Sequence, residues 1–390
     1  MQTVQTGHRS VVETDAAENG ADHNTQRDHL DQVLEPPPRS TLFHTLSQWG
    51  LAIATPLAAV IVALAVGALL LWVNGFNGSD VVSVMVFGSF QDLRSIGEIL
   101  LKAIPLILIG AGLCVAFRCG IWNIGAEGQL YAGAIAATLV GTQISGLPVW
   151  LHVSTVMLAG MLAGAIWGGL AGYLKVRFQA SEIVTTIMLN YIALIGTSYL
   201  VTGPMRDPGA AYPQSARLIR DAWIPRLMTD MRVHIGIIVA VVLAIALYIF
   251  LQRSSRGYAL RVVGLNPHAA RYAGMSVKTN VMTAICVSGA MAGLAGAFEV
   301  AGVTRRLYQN ISPGYGFEGI AVALLANNNP LAAIFSGGLF ATLRSGSEIL
   351  QIVSQVPQVL VLVIQGIVIL CVIAFAMLRG RVLGRWLKKR

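Results

Sequence analysis

Charge is scarce in this sequence. Only 12% of its 390 residues are Asp, Glu, Lys or Arg, against 55% hydrophobic, and the mean hydropathy is +0.68. A water-soluble globule of that composition lacks the polar surface to cover its core. Lysine is rarer still: there are five, and none follows a glycine and precedes Ser or Thr. No Walker A loop is therefore present to cradle a nucleotide phosphate, and any ATP the protein uses is hydrolysed by another chain. The four cysteines, Cys114, Cys119, Cys286 and Cys371, sit in or beside apolar segments, with neither zinc-site spacing nor a disulfide framework. They read as small core residues. A nucleophile elbow and a paired metal-binding histidine motif are both missing, so no catalytic residue, cofactor or metal site is expected.

What is present is a series of apolar stretches. Leu51 to Val73 and Ile235 to Leu251 carry no charge and are long enough to cross hydrocarbon about 30 Å thick. Only helices and closed barrels satisfy their backbones in lipid, so each reads as a helix. Further spans are predicted at Ile96 to Phe117, Leu130 to Leu147, Val149 to Leu174, Ile183 to Thr202, Thr279 to Gly302 and Val359 to Leu378. Two shorter pieces, Gly319 to Ala326 and Leu331 to Leu343, must lean on protein rather than lipid to count as crossings. The fold class expected is all-α integral membrane, a bundle of about ten transmembrane helices.

The formal charge of +9 does not point to nucleic acid, because the basic residues punctuate the ends of apolar spans. Between Gln252 and Lys278 lie Arg253, Arg256, Arg261, Arg271 and Lys278 with no acid, and the C-terminal tail is equally basic. The positive-inside bias places both in the cytoplasm, with an even number of crossings between them. Both termini are then cytoplasmic, in a multi-pass membrane protein. The loop Gly203 to Val233, with five arginines against three aspartates, falls outside, against the bias. The domain reading is a disordered acidic tail at 1–45, a transmembrane domain at 46–380 and a basic tail at 381–390. The first 40 residues hold seven acids against three arginines and end near Pro36, Pro37 and Pro38. A cleaved signal peptide is not expected there, since no basic n-region precedes a short apolar run.

Gly160, Gly164, Gly168 and Gly172 recur at every fourth residue, and Gly289, Gly293 and Gly296 form a shorter run. Such stripes let neighbouring helices approach closely.

Chemistry concentrates where the apolar pattern breaks. The run Gly120-Ile-Trp-Asn-Ile-Gly-Ala-Glu-Gly-Gln129 reads either as a broken helix offering backbone groups to a polar solute or as an ordinary turn. Asn123 and Gln129 are its candidates for solute contact, and Glu127 is expected to pair with Arg118 across the break or to stay protonated. Glu182, Thr186 and Asn190 recur at i, i+4 and i+8 and share one helix face. They suit a neutral polar solute, unless Glu182 merely pairs with Lys175 and Arg177 at the membrane surface. Glu318 opens the short late helix, as an N-terminal cap or as a pathway residue. From Asn266 to Met275 the sequence predicts a short helix, with Asn266 as cap, Pro267 at its first position and Gly274 near its end. Arg271 and Tyr272 are its best contact residues. Too short to stand alone, it calls for a soluble partner or an anionic lipid surface.

The run Phe117-Arg-Cys-Gly-Ile-Trp-Asn-Ile-Gly-Ala-Glu-Gly-Gln129 resembles the signature of nucleoside-type permeases within the branched-chain amino acid and simple sugar permease family of bacterial ABC importers. Glu182-Ile-Val-Thr-Thr-Ile-Met-Leu-Asn-Tyr-Ile192, Gly264-Leu-Asn-Pro-His-Ala-Ala-Arg-Tyr-Ala-Gly274 and Phe317-Glu-Gly-Ile-Ala-Val-Ala-Leu-Leu-Ala326 are similar to its later motifs. Ala326-Asn-Asn-Asn-Pro330 departs from the glycine-containing turn usual there. The resemblance spans about residues 50 to 380. It implies a type II importer architecture and alternating access. The implied partners are two cytoplasmic ATPase subunits, a second homologous permease subunit and an extracytoplasmic solute-binding lipoprotein. Nucleosides or related compounds are the implied cargo, and 266–274 becomes the segment that couples to the ATPase. The alternatives are a simple sugar or branched-chain amino acid permease, and a stand-alone transporter driven by protons through Glu127 or Glu182.

Overall fold

A computed structural model describes residues 88–228 and 231–354 continuously, residues 61–76 apart from 63 and 64, residue 83, and scattered positions from 356 to 374. Both predicted tails lie outside the described residues. The first and last predicted spans are seen only in part, at 61–62 and 65–73 and at positions between 359 and 374, and are helical there.

The continuous region holds ten α-helices: α1 Leu93–Arg118, α2 Ala126–Gln143, α3 Val149–Phe178, α4 Glu182–Thr202, α5 Gly236–Arg253, α6 Ser255–Leu265, α7 Pro267–Tyr272, α8 Val277–Phe298, α9 Tyr315–Leu325 and α10 Pro330–Ser354. A π-helical turn, Glu299–Thr304, prolongs α8. Among the described residues, five helices are long and apolar enough to cross a membrane: α1, α3, α4, α5 and α8 with its π turn. With α6 and α7 set aside, and the two partly seen spans added, about ten segments make up the bundle, as expected.

α1 is the axis. Asp92 caps it, accepting from the Ser95 N–H at 2.7 Å, and its most apolar window is 94% buried. The corresponding windows of α3, α4 and α5 are less than a third buried, and the residues they expose are Leu158, Leu162, Ile166, Ile192 and Ile195 among others. Apolar surface of that extent is stable only against lipid or another protein.

The glycine stripes make the closest contacts. A Cβ on Gly164 would stand 2.2 Å from the Gly289 carbonyl oxygen, and one on Gly293 would stand 2.3 Å from that of Gly160. Gly133 on α2 meets Gly293 at 2.2 Å in the same sense. Three backbones therefore touch along α2, α3 and α8, where no side chain fits.

Two helices are half-length. α9 has 11 residues, about 16 Å, and its Gly319 packs on Ile109 and Leu113, midway along α1. It starts at mid-depth and ends beside Arg118, at the end of the bundle that carries α6 and α7. α2 also starts at mid-depth and runs the other way, to Gly141, whose carbonyl accepts from Ile219 N–H in the loop at the opposite end. The segments 119–125 and 305–314 supply the missing halves as irregular backbone.

The predicted piece Leu331 to Leu343 is too short. The sequence pattern stops at Arg344, but α10 continues to Ser354 because its charges are paired: Arg344 with Glu318, and Glu348 with Lys102 at 2.5 Å. The cation-rich loop Gln252 to Lys278 contains a second helix that periodicity had not marked, α6, capped by Ser254, which accepts from Gly257 N–H at 2.9 Å.

Candidate functional site: two facing half-helices

The break between α1 and α2 is held by amides. Asn123, fully buried, donates to Gln129 Oε1 at 3.0 Å and to Ser288 Oγ at 2.9 Å, while its own oxygen accepts from Gly125 N–H and from Gln129 Nε2. Asn190 of α4 reaches across. Its oxygen accepts from Gly128 N–H at 2.8 Å and its nitrogen donates to the Ile124 carbonyl at 2.9 Å. These bonds satisfy backbone groups that the helix break would otherwise leave bare in hydrocarbon. Asn123 and Gln129, read from the sequence as solute contacts, spend their hydrogen bonds on each other and on neighbouring helices.

The expected pair of Arg118 and Glu127 does not form. The break lifts Glu127 to mid-depth while Arg118 stays at the end of α1. Glu127 accepts instead from Gly316 N–H, in the first turn of α9, at 2.7 Å. Its carboxylate therefore bridges the N-terminal ends of two half-helices, where both sets of unsatisfied N–H groups and both dipoles favour an anion. Nothing larger than hydrogen fits at Gly316, whose Cβ would stand 2.2 Å from Glu127 N. Arg118 donates to the carbonyls of Asn328 at 2.9 Å and Asn327 at 3.3 Å, just past the C-terminal end of α9. Asn327 and Asn328 both have left-handed backbones, a turn that asparagine tolerates in place of glycine. That accounts for the departure from the usual glycine there.

Glu318 lies in the first turn of α9, but its carboxylate meets the Arg344 guanidinium of α10 rather than the helix backbone. Arg344 also lies over the Tyr315 ring, 4.8 Å from its centroid, and donates to the Pro313 carbonyl. The position of Arg344, a lone cation inside an apolar run, was the sequence signal for this pair.

On α4, Glu182 pairs with Lys175 at 2.7 Å, the surface alternative of the sequence reading. The Thr186 hydroxyl donates back to the Glu182 carbonyl at 2.6 Å, and its Cβ lies against Gly125. Glu182, Thr186 and Asn190 do share a helix side, and only Asn190 binds the break.

At the far end of the break, Gly264 of α6 sits on the α1 terminus, so tightly that a Cβ there would stand 2.1 Å from the Arg118 carbonyl oxygen. α7 follows directly. Asn266 caps it, accepting from His268 and Ala269 N–H at 3.0 and 3.1 Å, Pro267 holds its first position, and Gly274 takes a left-handed φ of 77° beyond its end. Ala270 is buried below, while Tyr272 is 95% exposed and Leu265 is 87% exposed.

Two half-helices meeting at mid-depth, each completed by irregular backbone inside a helical bundle, define a membrane transport protein. The particular family follows from comparison. Residues 95–373 match the model of the branched-chain amino acid transport system permease component, and the chain belongs to that family. The guanosine ABC transporter permease protein NupP of Bacillus subtilis is 38% identical over 338 residues, 86% of this chain and 96% of its own length. The glucose ABC transporter permease protein TsgB13 of Haloferax volcanii is 36% identical, over 84% of this chain and 89% of its own. The nucleoside ABC transporter permease protein NupB of Lactococcus lactis is 32% identical, over 76% and 84%.

Proposed function

We propose that this chain is the membrane-spanning permease of an ATP-driven importer of nucleosides or related polar solutes in the plasma membrane. The observation that carries the reading is the contact of Gly264 with the Arg118 carbonyl, which joins an exposed, capped helix to the start of the helix break. A push on α7 reaches α6 and, through Gly264, the end of α1. Arg118 then passes it to the C-terminal end of α9, so both half-helices respond to one input. The acid-free segment 252–278 puts α6 and α7 in the cytoplasm, where ATPase subunits would meet Arg271 and Tyr272. Both termini lie on that side, and the loop 203–233 lies outside, facing a solute-binding protein. A second permease subunit covers part of the exposed apolar surface of α3, α4 and α5.

Nucleoside cargo is supported by the names of two similar permeases, for guanosine and for nucleosides. A sugar is the second reading, because the glucose permease is nearly as similar. Competition of unlabelled guanosine and glucose against labelled guanosine uptake separates the two. Coupling is tested by changing Arg271 and Tyr272 to Ala in the assembled complex. ATP hydrolysis should lose its stimulation by solute while membrane insertion persists. Normal coupled uptake in that variant would remove α7 from the mechanism.

A further inference from the structure

The π turn that prolongs α8, Glu299–Thr304, is a form that inserts one extra residue and recurs at functional sites. Glu299 opens it. Phe298, Val300 and Ala301 are buried around it, while Glu299 keeps part of its surface open. Gly296, one turn earlier, packs on Leu130 and Ala134 of α2, beyond the mid-depth start of that half-helix. Glu299 therefore lies in the half of the bundle away from α6 and α7, on the outer side of the start of α9.

The charges there are nearly all matched. Lys102 pairs with Glu348, Arg232 with Glu98 and Arg344 with Glu318, and Glu127 is held by Gly316 N–H. Lys102 stands about 14 Å along α1 from Leu93, yet the Glu348 side chain that meets it is 52% exposed. A charge exposed at that depth faces a water-filled cavity rather than lipid. Glu299 is the acid left over. It lies in the field of Arg344, Arg232, Glu348 and Glu98, but among the described residues it makes no ion pair and its carboxylate accepts no hydrogen bond. Tyr315 faces it from α9. Side chains on a helix lean toward its N-terminus, so that of Tyr315, the first residue, leans to the outer side, into the field of Glu299. Its hydroxyl also makes no hydrogen bond among the described residues, although Tyr315 is only 5% exposed.

We propose that Glu299 and Tyr315 form a contact site for vicinal hydroxyls of the transported solute, on the outer approach to the two half-helices. The inference rests on the importer reading above, and it names the part of the cargo that is recognised. A carboxylate is acceptor only, and its two oxygens can each take one of two adjacent O–H donors, while a phenol donates to or accepts from a third oxygen. A cationic solute would meet Arg344, Arg232 and Lys102 here, and an anionic one would meet Glu299 itself. A neutral donor fits. Ribose and a free sugar both carry adjacent hydroxyls, so one site serves both cargo readings.

The test is uptake of guanosine and of 2′-deoxyguanosine, which lacks one of the adjacent hydroxyls, into proteoliposomes holding the whole importer and ATP. The solute-binding protein is present outside at saturation and is the same throughout, so its own preference cancels between variants. The unmodified complex should favour guanosine. Glu299→Gln should slow guanosine uptake about tenfold and 2′-deoxyguanosine uptake by no more than about threefold. Tyr315→Phe should narrow the same ratio by less. Glu299→Asp, which retains the carboxylate, should keep part of the preference and guards against a variant that fails to assemble. No preference in the unmodified complex, an equal fall for both nucleosides, or an unchanged ratio in an assembled variant overturns the site. With glucose as the cargo, the same comparison runs against its deoxy forms, one position at a time. Absence of ATP-driven uptake of either cargo by the unmodified complex overturns the importer reading instead.

Discussion

The two half-helices enter the middle of the bundle in opposite ways. α2 is anchored by neutral amides: Asn123, Gln129 and Asn190 close a ring of hydrogen bonds around its first turn. α9 is anchored by charge, with Glu318 held by Arg344 and Gly316 N–H held by Glu127. An amide ring is short-ranged and directional, and every member has its partner, so it fixes one geometry. A buried ion pair is different. Its net worth is small, but removing either partner leaves an expensive lone charge, so its members are free to exchange only with other groups of matching sign. The two half-helices are thus held by different forces, one by directional hydrogen bonds and the other by a charge pair.

The sharpest way to break that contrast is to delete one charge. Arg344→Leu strands Glu318 and should cost about 3–5 kcal/mol, read as a large fall in the thermal stability of the detergent-solubilised complex. Changing both Arg344 and Glu318 to Gln should recover much of that stability while impairing transport. If the double change restores transport as well, the pair has only a structural role. Next in size is Gly316→Ala, which pushes the two helix N-terminal ends apart against backbone and should cost about 1–3 kcal/mol or more.

For the amide side, Asn190→Leu removes an acceptor from Gly128 N–H and a donor from the Ile124 carbonyl, about 1–3 kcal/mol for each group left bare. The assembled complex should fall together with uptake. Uptake lost at normal assembly would instead mean that Asn190 touches the solute. Smaller effects belong to the rim. Glu182→Gln opens the partly exposed pair with Lys175 and should cost no more than about 1 kcal/mol.

Asp207 gives the weakest and most specific signal. Its hydrogen bond from Arg306 holds its carboxyl below the usual carboxylate range. The sign follows: its contribution is present above the unfolded pKa and fades as pH falls through the lower folded one. An Asp207→Asn variant should therefore differ fully from the parent protein above the ordinary carboxylate pKa and match it only in acid below the lowered one, in a pH series of thermal melts.

Much of the fold was legible because hydrophobic length and glycine spacing are local signals. The stripe at Gly160, Gly164 and Gly168 named its own packing face, and Asn266-Pro267 marked a helix start that the structure bears out. What was not legible depends on residues far apart in the chain. Glu127 had one sequence-near cation, Arg118, but its partner is a backbone N–H 189 positions later. The apolar run ends at Leu343, one residue before Arg344, and the partner that lets α10 continue, Glu318, lies on another helix. Asn123 and Gln129 looked available for solute because a sequence shows polar groups without showing who satisfies them. The missed helix α6 has mixed polarity and little periodicity, and only Ser254 in front of it hinted at a cap.

In the proposed function, ATP hydrolysis on partner chains drives solute through this permease. The most direct measurement is guanosine uptake into proteoliposomes containing the complete importer, with its binding protein outside. One set holds ATP inside and a collapsed proton gradient; the other holds an imposed proton gradient and no ATP. Accumulation is expected in the first set alone, abolished by Arg271→Ala with Tyr272→Ala. Accumulation driven by the gradient without ATP would contradict it, and would turn the buried acids Glu127 and Glu318 from structural anchors into proton carriers.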